Sequence, residues 1–327
     1  MRLFFATAIA ATALVSIYLL SMPSETGKLL GRSYDQEFLD LIKASERLIS
    51  SKEDLEFRYK IYKKNKEFIE ETNKRGNTFT LGVTDNALLE FEEFSAKFSL
   101  KPFGSKSETK ELEKSSIEKT AIDWRGKLDN TPVKNQTSYC NAGYAMSVAG
   151  MMEAFVQKYR HQVVPLSSQQ IVDCSFNFGN RGCTGGYAEK ALDYIRQVGI
   201  ATEHDYPYMA RLQQCGQFQP FAGHQGYFKA YDEVQVKQAL LSMPMVVAME
   251  INQELMHYTG GVYTNHNCGH TLNHFALAVG FSENWVSSDY WIIKNSFSNN
   301  WGEQGYLRLE LFSCGVARNA FNVFLRG

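Results

Sequence analysis

The chain has 327 residues, 44% of them hydrophobic, enough for a large core and for two domains or one domain with an appendage. Its 34 basic and 35 acidic residues leave a formal charge of -1, which argues against nucleic acid and against a bulk electrostatic membrane partner.

Residues 3–20 form an uncharged apolar run preceded by Arg2 and followed by Ser21-Met22-Pro23-Ser24. A basic start, an apolar stretch and a helix breaker are the parts of an export signal, cleaved or kept as an anchor. Either form delivers the remainder to an oxidising lumen. Residues 34–73 are highly charged and helically periodic, with neither Pro nor Gly. Residues 95–119 mix Lys, Ser and Glu with a Pro and a Gly, the composition of an exposed, cleavable linker. Residues 131–159 pass from an extended Pro132-Val133 through a short polar loop into a run of Ala145, Met146, Val148, Ala149, Met151, Met152, Phe155, Val156 and Tyr159. Apolar residues on most of the circumference predict a helix buried nearly all round, the spine of a core. All six cysteines (Cys140, Cys174, Cys183, Cys215, Cys268 and Cys314) follow the linker, and an even set in an exported domain reads as a disulfide framework.

The segment Cys140-Asn141-Ala142-Gly143-Tyr144 resembles the C-G-[SA]-C-[WY] signature of the papain and cathepsin family, matching its first, third and fifth positions. The resemblance extends further. Asp54, Arg58, Ile61, Tyr62, Asn65, Ile69 and Asn73 follow the E-R-I-F-N-I-N spacing of a cathepsin L-type prosegment, with Asp for Glu and Tyr for Phe. Of the second prosegment motif, G-x-N-x-F-x-D, only Gly82 remains, because Thr84, Asn86 and Leu88 replace the rest. Ala121-Ile122-Asp123-Trp124-Arg125 resembles the start of a mature enzyme. The resemblance implies an α+β papain-like fold, with a helical left domain (about 128–229) and an antiparallel β-barrel right domain (about 230–327) inside 119–327. A helical inhibitor-type prosegment (23–118) precedes it, and a signal peptide or anchor occupies 1–22. Short Val- and Tyr-containing runs between 225 and 280, and around Trp291 and Tyr306, agree with the β half.

The same resemblance assigns site residues. His274 takes the position of the catalytic base, Asn295 that of the amide that orients its ring, and Gln136 that of the side-chain donor to the oxyanion. Gly143 stands where the nucleophilic thiol belongs. A helix N-terminus and a neighbouring imidazolium would stabilise a thiolate there, and glycine keeps the helix start while deleting that chemistry. The implied disulfides are Cys140–Cys183, Cys174–Cys215 and Cys268–Cys314, which leave no thiol over. The alternative is a divergent endopeptidase using Cys140 with His274, although Cys140 stands closer to Gln136 than the family's thiol does and its use would strand Cys183.

An extra residue in Thr137-Ser138-Tyr139 is expected to displace Gln136, Phe297 replaces the tryptophan that shields the His–Asn contact, and Phe275 stands where a small residue faces a substrate pocket. Gly185 and Gly186 match glycines whose backbone pairs with bound peptide, or else they only make a turn beside Cys183. The spacing of His266, Cys268, His270 and His274 imitates a metal site, but commitment of Cys268 to a disulfide argues against zinc, and neither metal nor cofactor is implied. Asn135-Gln136-Thr137 is a glycosylation sequon, expected beside the cleft and unused because of local burial. The expected protein is a catalytically impaired peptidase homologue of the secretory pathway, lysosomal, vacuolar or extracellular. Its partners would be a peptide or protein in the cleft and its own prosegment, with membrane contact only through an uncleaved anchor.

Overall fold

The computed structural model describes residues 34–45, 49–96, 121–265, 268–269, 271–283 and 289–324, so the N-terminal apolar run and nearly all of the predicted linker lie outside the described residues. The chain divides into two compact units: the residues up to Arg75 with Gly82–Glu90, and Gly76–Leu81 with Phe91 onward.

The first unit is built on helices α1 (Gln36–Ala44) and α2 (Lys52–Asn73). Ser51 caps α2 by accepting the Asp54 N–H, which satisfies one of the amides a helix start leaves open. Five residues of the interspersed sequence pattern, Arg58, Ile61, Tyr62, Asn65 and Ile69, lie on the buried stripe of α2, while Asp54 is half-buried and Asn73 exposed. Its polar members have partners. Asn65 Nδ2 donates to the carbonyls of Ala87 (3.0 Å) and Leu89 (2.9 Å), and Arg58 Nη1 donates to that of Leu88 (3.1 Å), so the short 3-10 turn Asp85–Leu88 and the residue after it have buried carbonyls satisfied. Tyr34, Phe38, Leu55, Tyr62 and Leu88 form the unit's small core.

The second unit carries β1 (Phe79–Leu81), α3 (Phe91–Ser95), β2 (Ile122–Asp123), α4 (Gly143–Arg160), α5 (Ser168–Cys174), α6 (Ala188–Val198), β3 (Gly226–Ala230), α7 (Glu233–Leu240), β4 (Met245–Met249), α8 (Gln253–Met256), β5 (Tyr258–Tyr263), β6 (His274–Ser282), β7 (Tyr290–Lys294), β8 (Tyr306–Glu310) and β9 (Ala320–Phe324). The strands pair in the order β1-β5-β8-β7-β6-β4-β9-β3, with β2 also on β6. All pairs are antiparallel except β5–β8. This α+β arrangement, helices beside an almost wholly antiparallel sheet, is the fold class that the motifs imply. β6 is buried along nearly its whole length, as expected of a strand with sheet neighbours on both sides and a helix across its face.

Helix α4 is buried at every position from Gly143 to Val156. It lies directly against β6: a Cβ added at Gly150 would stand 3.2 Å from Leu277 Cδ2. The core joins Val148, Met152 and Phe155 of α4 to Ile195 of α6 and to Val246, Leu277 and Phe321 of the sheet. Three disulfides, Cys140–Cys183, Cys174–Cys215 and Cys268–Cys314, tie the unit together in the pairs named above.

Candidate active site

Pairing of β6 with β7 decides the geometry. Leu277 lies opposite Lys294, so the first residue of β6, His274, and the residue just past β7, Asn295, meet at the same end of the ladder. His274 Nε2 is 2.9 Å from Asn295 Oδ1, and the same oxygen accepts the Ser296 N–H at 2.8 Å. An amide oxygen only accepts, so Nε2 carries the proton and Nδ1 is the basic nitrogen of the ring. His274 is 2% exposed. Burial pushes its pKa down to about 4, and the bond to Asn295 only partly opposes this.

Nδ1 faces the start of α4. A Cβ built on Gly143 would stand 2.6 Å from His274 Cε1, 2.9 Å from Nδ1 and 3.2 Å from Gln136 Oε1. The imidazole therefore occupies the space a side chain at 143 would need. Gln136 is placed beside it by three bonds: its N–H donates to Ser296 O (2.9 Å), its carbonyl accepts from Tyr208 Oη (3.0 Å), and its Oε1 accepts from Ser296 Oγ (2.8 Å). The extra residue is taken up in a turn, where the Thr137 N–H donates to Asn135 Oδ1 (2.9 Å) and the Tyr139 N–H to Thr137 Oγ1 (3.2 Å). Phe297 covers the pair, its ring centroid 5.1 Å from that of His274, 5.3 Å from Trp301 and 5.5 Å from Phe94 of α3.

Gly185 has φ +106°, a conformation that favours glycine, and a Cβ at Gly186 would meet Asn180 Oδ1 at 2.5 Å and Tyr144 Cε2 at 2.8 Å. Both glycines are thus required by the turn beside Cys183. Phe275 is 1% exposed and packs in the core, with Phe321 edge-on at 6.3 Å. Cys140 is bonded to Cys183, so the alternative Cys140–His274 pairing is not made, and all six cysteines are in disulfides. His266 and His270 lie outside the described residues, and among the described residues no group of three or more His, Cys, Asp or Glu could hold a metal ion. Asn135, expected to be buried, is exposed.

Motif reading missed the supports of the site. Lys134 pairs with buried Glu153 of α4 at 3.0 Å, Thr131 Oγ1 donates to the same carboxylate at 2.5 Å, and Lys294 pairs with Asp129 at 2.5 Å. Glu153 was detectable as the lone charge in the apolar stretch of α4, whereas Ser296 and Tyr208 carry no signal of their own.

Residues 119–324 match the papain family cysteine protease domain, and residues 30–94 match the cathepsin propeptide inhibitor domain. The chain belongs to the papain family. A cathepsin L-like proteinase of Fasciola hepatica is 34% identical over 285 residues, covering 81% of this chain and 86% of the relative. Digestive cysteine proteinase 3 of Homarus americanus is also 34% identical, covering 82% and 87%. Among solved structures, digestive procathepsin L 3 of Tenebrio molitor larval midgut matches with TM-score 0.82 at 29% identity, covering 89% of this chain and 98% of that one. The stem bromelain precursor matches with TM-score 0.81 at 28% identity, covering 89% and 99%. The chain is thus a cathepsin L-like papain-family proprotein with its inhibitor-type prosegment.

Proposed function

We propose that this papain-family proprotein is a pseudo-peptidase that binds a peptide or protein segment without cleaving it. The observation that carries this reading is the pairing of an intact His274–Asn295 couple with a bare Cα at Gly143, in a chain whose six cysteines are all in disulfides. In a working site of this family the base would draw a proton from a thiol at that position, and the helix start would stabilise the thiolate. Here Nδ1 has no thiol to activate. Gln136 turns its oxygen toward position 143, where stabilising an oxyanion needs an N–H. We further assign Gly185 and Gly186 as backbone contacts for an extended ligand, Asn295 as the positioning residue for His274, and the secretory pathway as the compartment, on the strength of three disulfides.

The test uses the chain after its prosegment is removed. Incubation with a thiol-directed epoxide is expected to leave every cysteine unlabelled, and a fluorogenic peptide is expected to remain uncleaved while still binding by fluorescence anisotropy. Labelling at Cys140 accompanied by hydrolysis would overturn the reading and restore the endopeptidase alternative. Gly143→Cys is expected to regain only weak hydrolysis, because the new side chain must first displace the imidazole.

A further inference from the structure

The turn between Gln136 and Cys140 contains the one Asn-x-Ser/Thr sequence in the chain, Asn135-Gln136-Thr137. Two features of the fold bear on it. Asn135 is exposed, although its neighbour Gln136 is 2% exposed and packed against Ser296. Thr137 has φ +61°, a left-handed conformation in which a β-branched residue is strained and a glycine would be at ease. Its hydroxyl accepts the Tyr139 N–H and its N–H donates to Asn135 Oδ1, which hold it there. Glycine at 137 would relieve the backbone but abolish the hydroxyl that a sequon requires. The chain keeps the strained residue that preserves the acceptor.

We propose that Asn135 carries an N-linked glycan standing on the rim of the His274–Asn295 site. The modification attaches in the secretory lumen, to which the apolar leader and the disulfide framework assign the chain. Asn135 Nδ2 forms a bond to C1 of the reducing-end N-acetylhexosamine of a lipid-linked oligosaccharide diphosphate. The C1–O bond to the diphosphate breaks, the lipid diphosphate leaves, and Nδ2 gives up one proton. The position matters because Asn135 bridges the backbone of Phe297, whose ring lies on His274. A bulky, hydrated glycan there screens that rim from large partners.

The experiment expresses the full chain in a secreting eukaryotic cell as wild type, Thr137→Ser, Thr137→Gly and Asn135→Gln. Wild type and Thr137→Ser are expected to lose the mass of one glycan on treatment with a peptide-N-glycosidase, which converts residue 135 to aspartate. Thr137→Gly and Asn135→Gln are expected to show no shift. Thr137→Gly relieves strain, so its lack of a glycan cannot be charged to misfolding, and non-reducing peptide mapping checks that all variants keep the disulfides. Recovery of residue 135 as unmodified asparagine from the secreted, disulfide-bonded wild type would overturn the proposal. Glycan mass and peptide hydrolysis are read separately, so either result leaves the pseudo-peptidase reading to its own test.

Discussion

A Cβ at position 143 would come within 2.6 Å of His274 Cε1, closer than carbon atoms pack, so the imidazole and the glycine are fitted to each other. This sets up a contest when the position is filled. Gly→Ala inside a helix ordinarily stabilises by about 0.5–1 kcal/mol through the lost freedom of the unfolded chain. Forcing a methyl group into a packed site costs about 1–3 kcal/mol. The second effect is the larger, so Gly143→Ala is expected to lower the melting temperature and to shift the His274 ring resonances in the NMR spectrum. A variant that melts higher than wild type, with the ring unmoved, would show that His274 does not rest on Gly143. Gln136, Gly143, His274 and Asn295 were legible as candidates because each lies in a long motif. The seating of the ring in the empty space was not, because it depends on how far α4 and β6 approach, and no local pattern encodes that distance. The fate of the extra residue was illegible too: the turn that absorbs it rests on Asn135 Oδ1 and on a threonine at φ +61°.

The helices show the same division between pattern and partner. The spacing of Arg58, Tyr62, Asn65 and Ile69 announced α2, yet only the structure explains why a buried stripe should contain an amide and a guanidinium: they donate to the carbonyls of residues 87–89. Strand β1 had no signal of its own beyond the threonines around it. It extends the sheet by pairing with β5, where Thr78 Oγ1 donates to the Val262 carbonyl (2.7 Å) and the Val262 N–H returns a bond to Thr78 O (3.0 Å). The approach is possible because Gly261, at φ +88°, has no side chain; a Cβ there would stand 2.4 Å from Thr78 O. Gly261→Ala is therefore expected to release β1, since both the clash and the left-handed backbone, about 1–3 kcal/mol for a non-glycine residue, oppose it. Hydrogen exchange would show faster exchange for the β1 amides, with β6 and β7 still protected. Unchanged protection of β1 would refute this account of how the strand is admitted.

The molecule as a whole responds to pH through histidines it buries. His257 and His274 are both pushed down to about 4 by burial, and His224 is shifted in the same direction for the same reason. In the unfolded chain such rings titrate near about 6.5. Between about 6.5 and about 4 the unfolded state therefore binds more protons than the folded one. Their contribution to stability is complete above that window and is lost as the pH falls through it. For a single ring depressed to about 4 the loss is roughly 3 kcal/mol. The carboxyls of Asp173, Glu203 and Glu233, raised chiefly by burial, act in the opposite sense, because the folded chain takes up their protons first as the pH falls. A comparison of variants separates these contributions. His274→Gln removes one titrating ring while keeping an amide able to donate to Asn295 Oδ1. Urea unfolding of wild type and variant across this range should give curves that converge toward acid, by roughly 3 kcal/mol if the ring is neutral in the folded state. Parallel curves would mean that His274 is already protonated in the folded protein, as it would be beside a thiolate, and would place a negative charge next to the ring where a bare glycine stands.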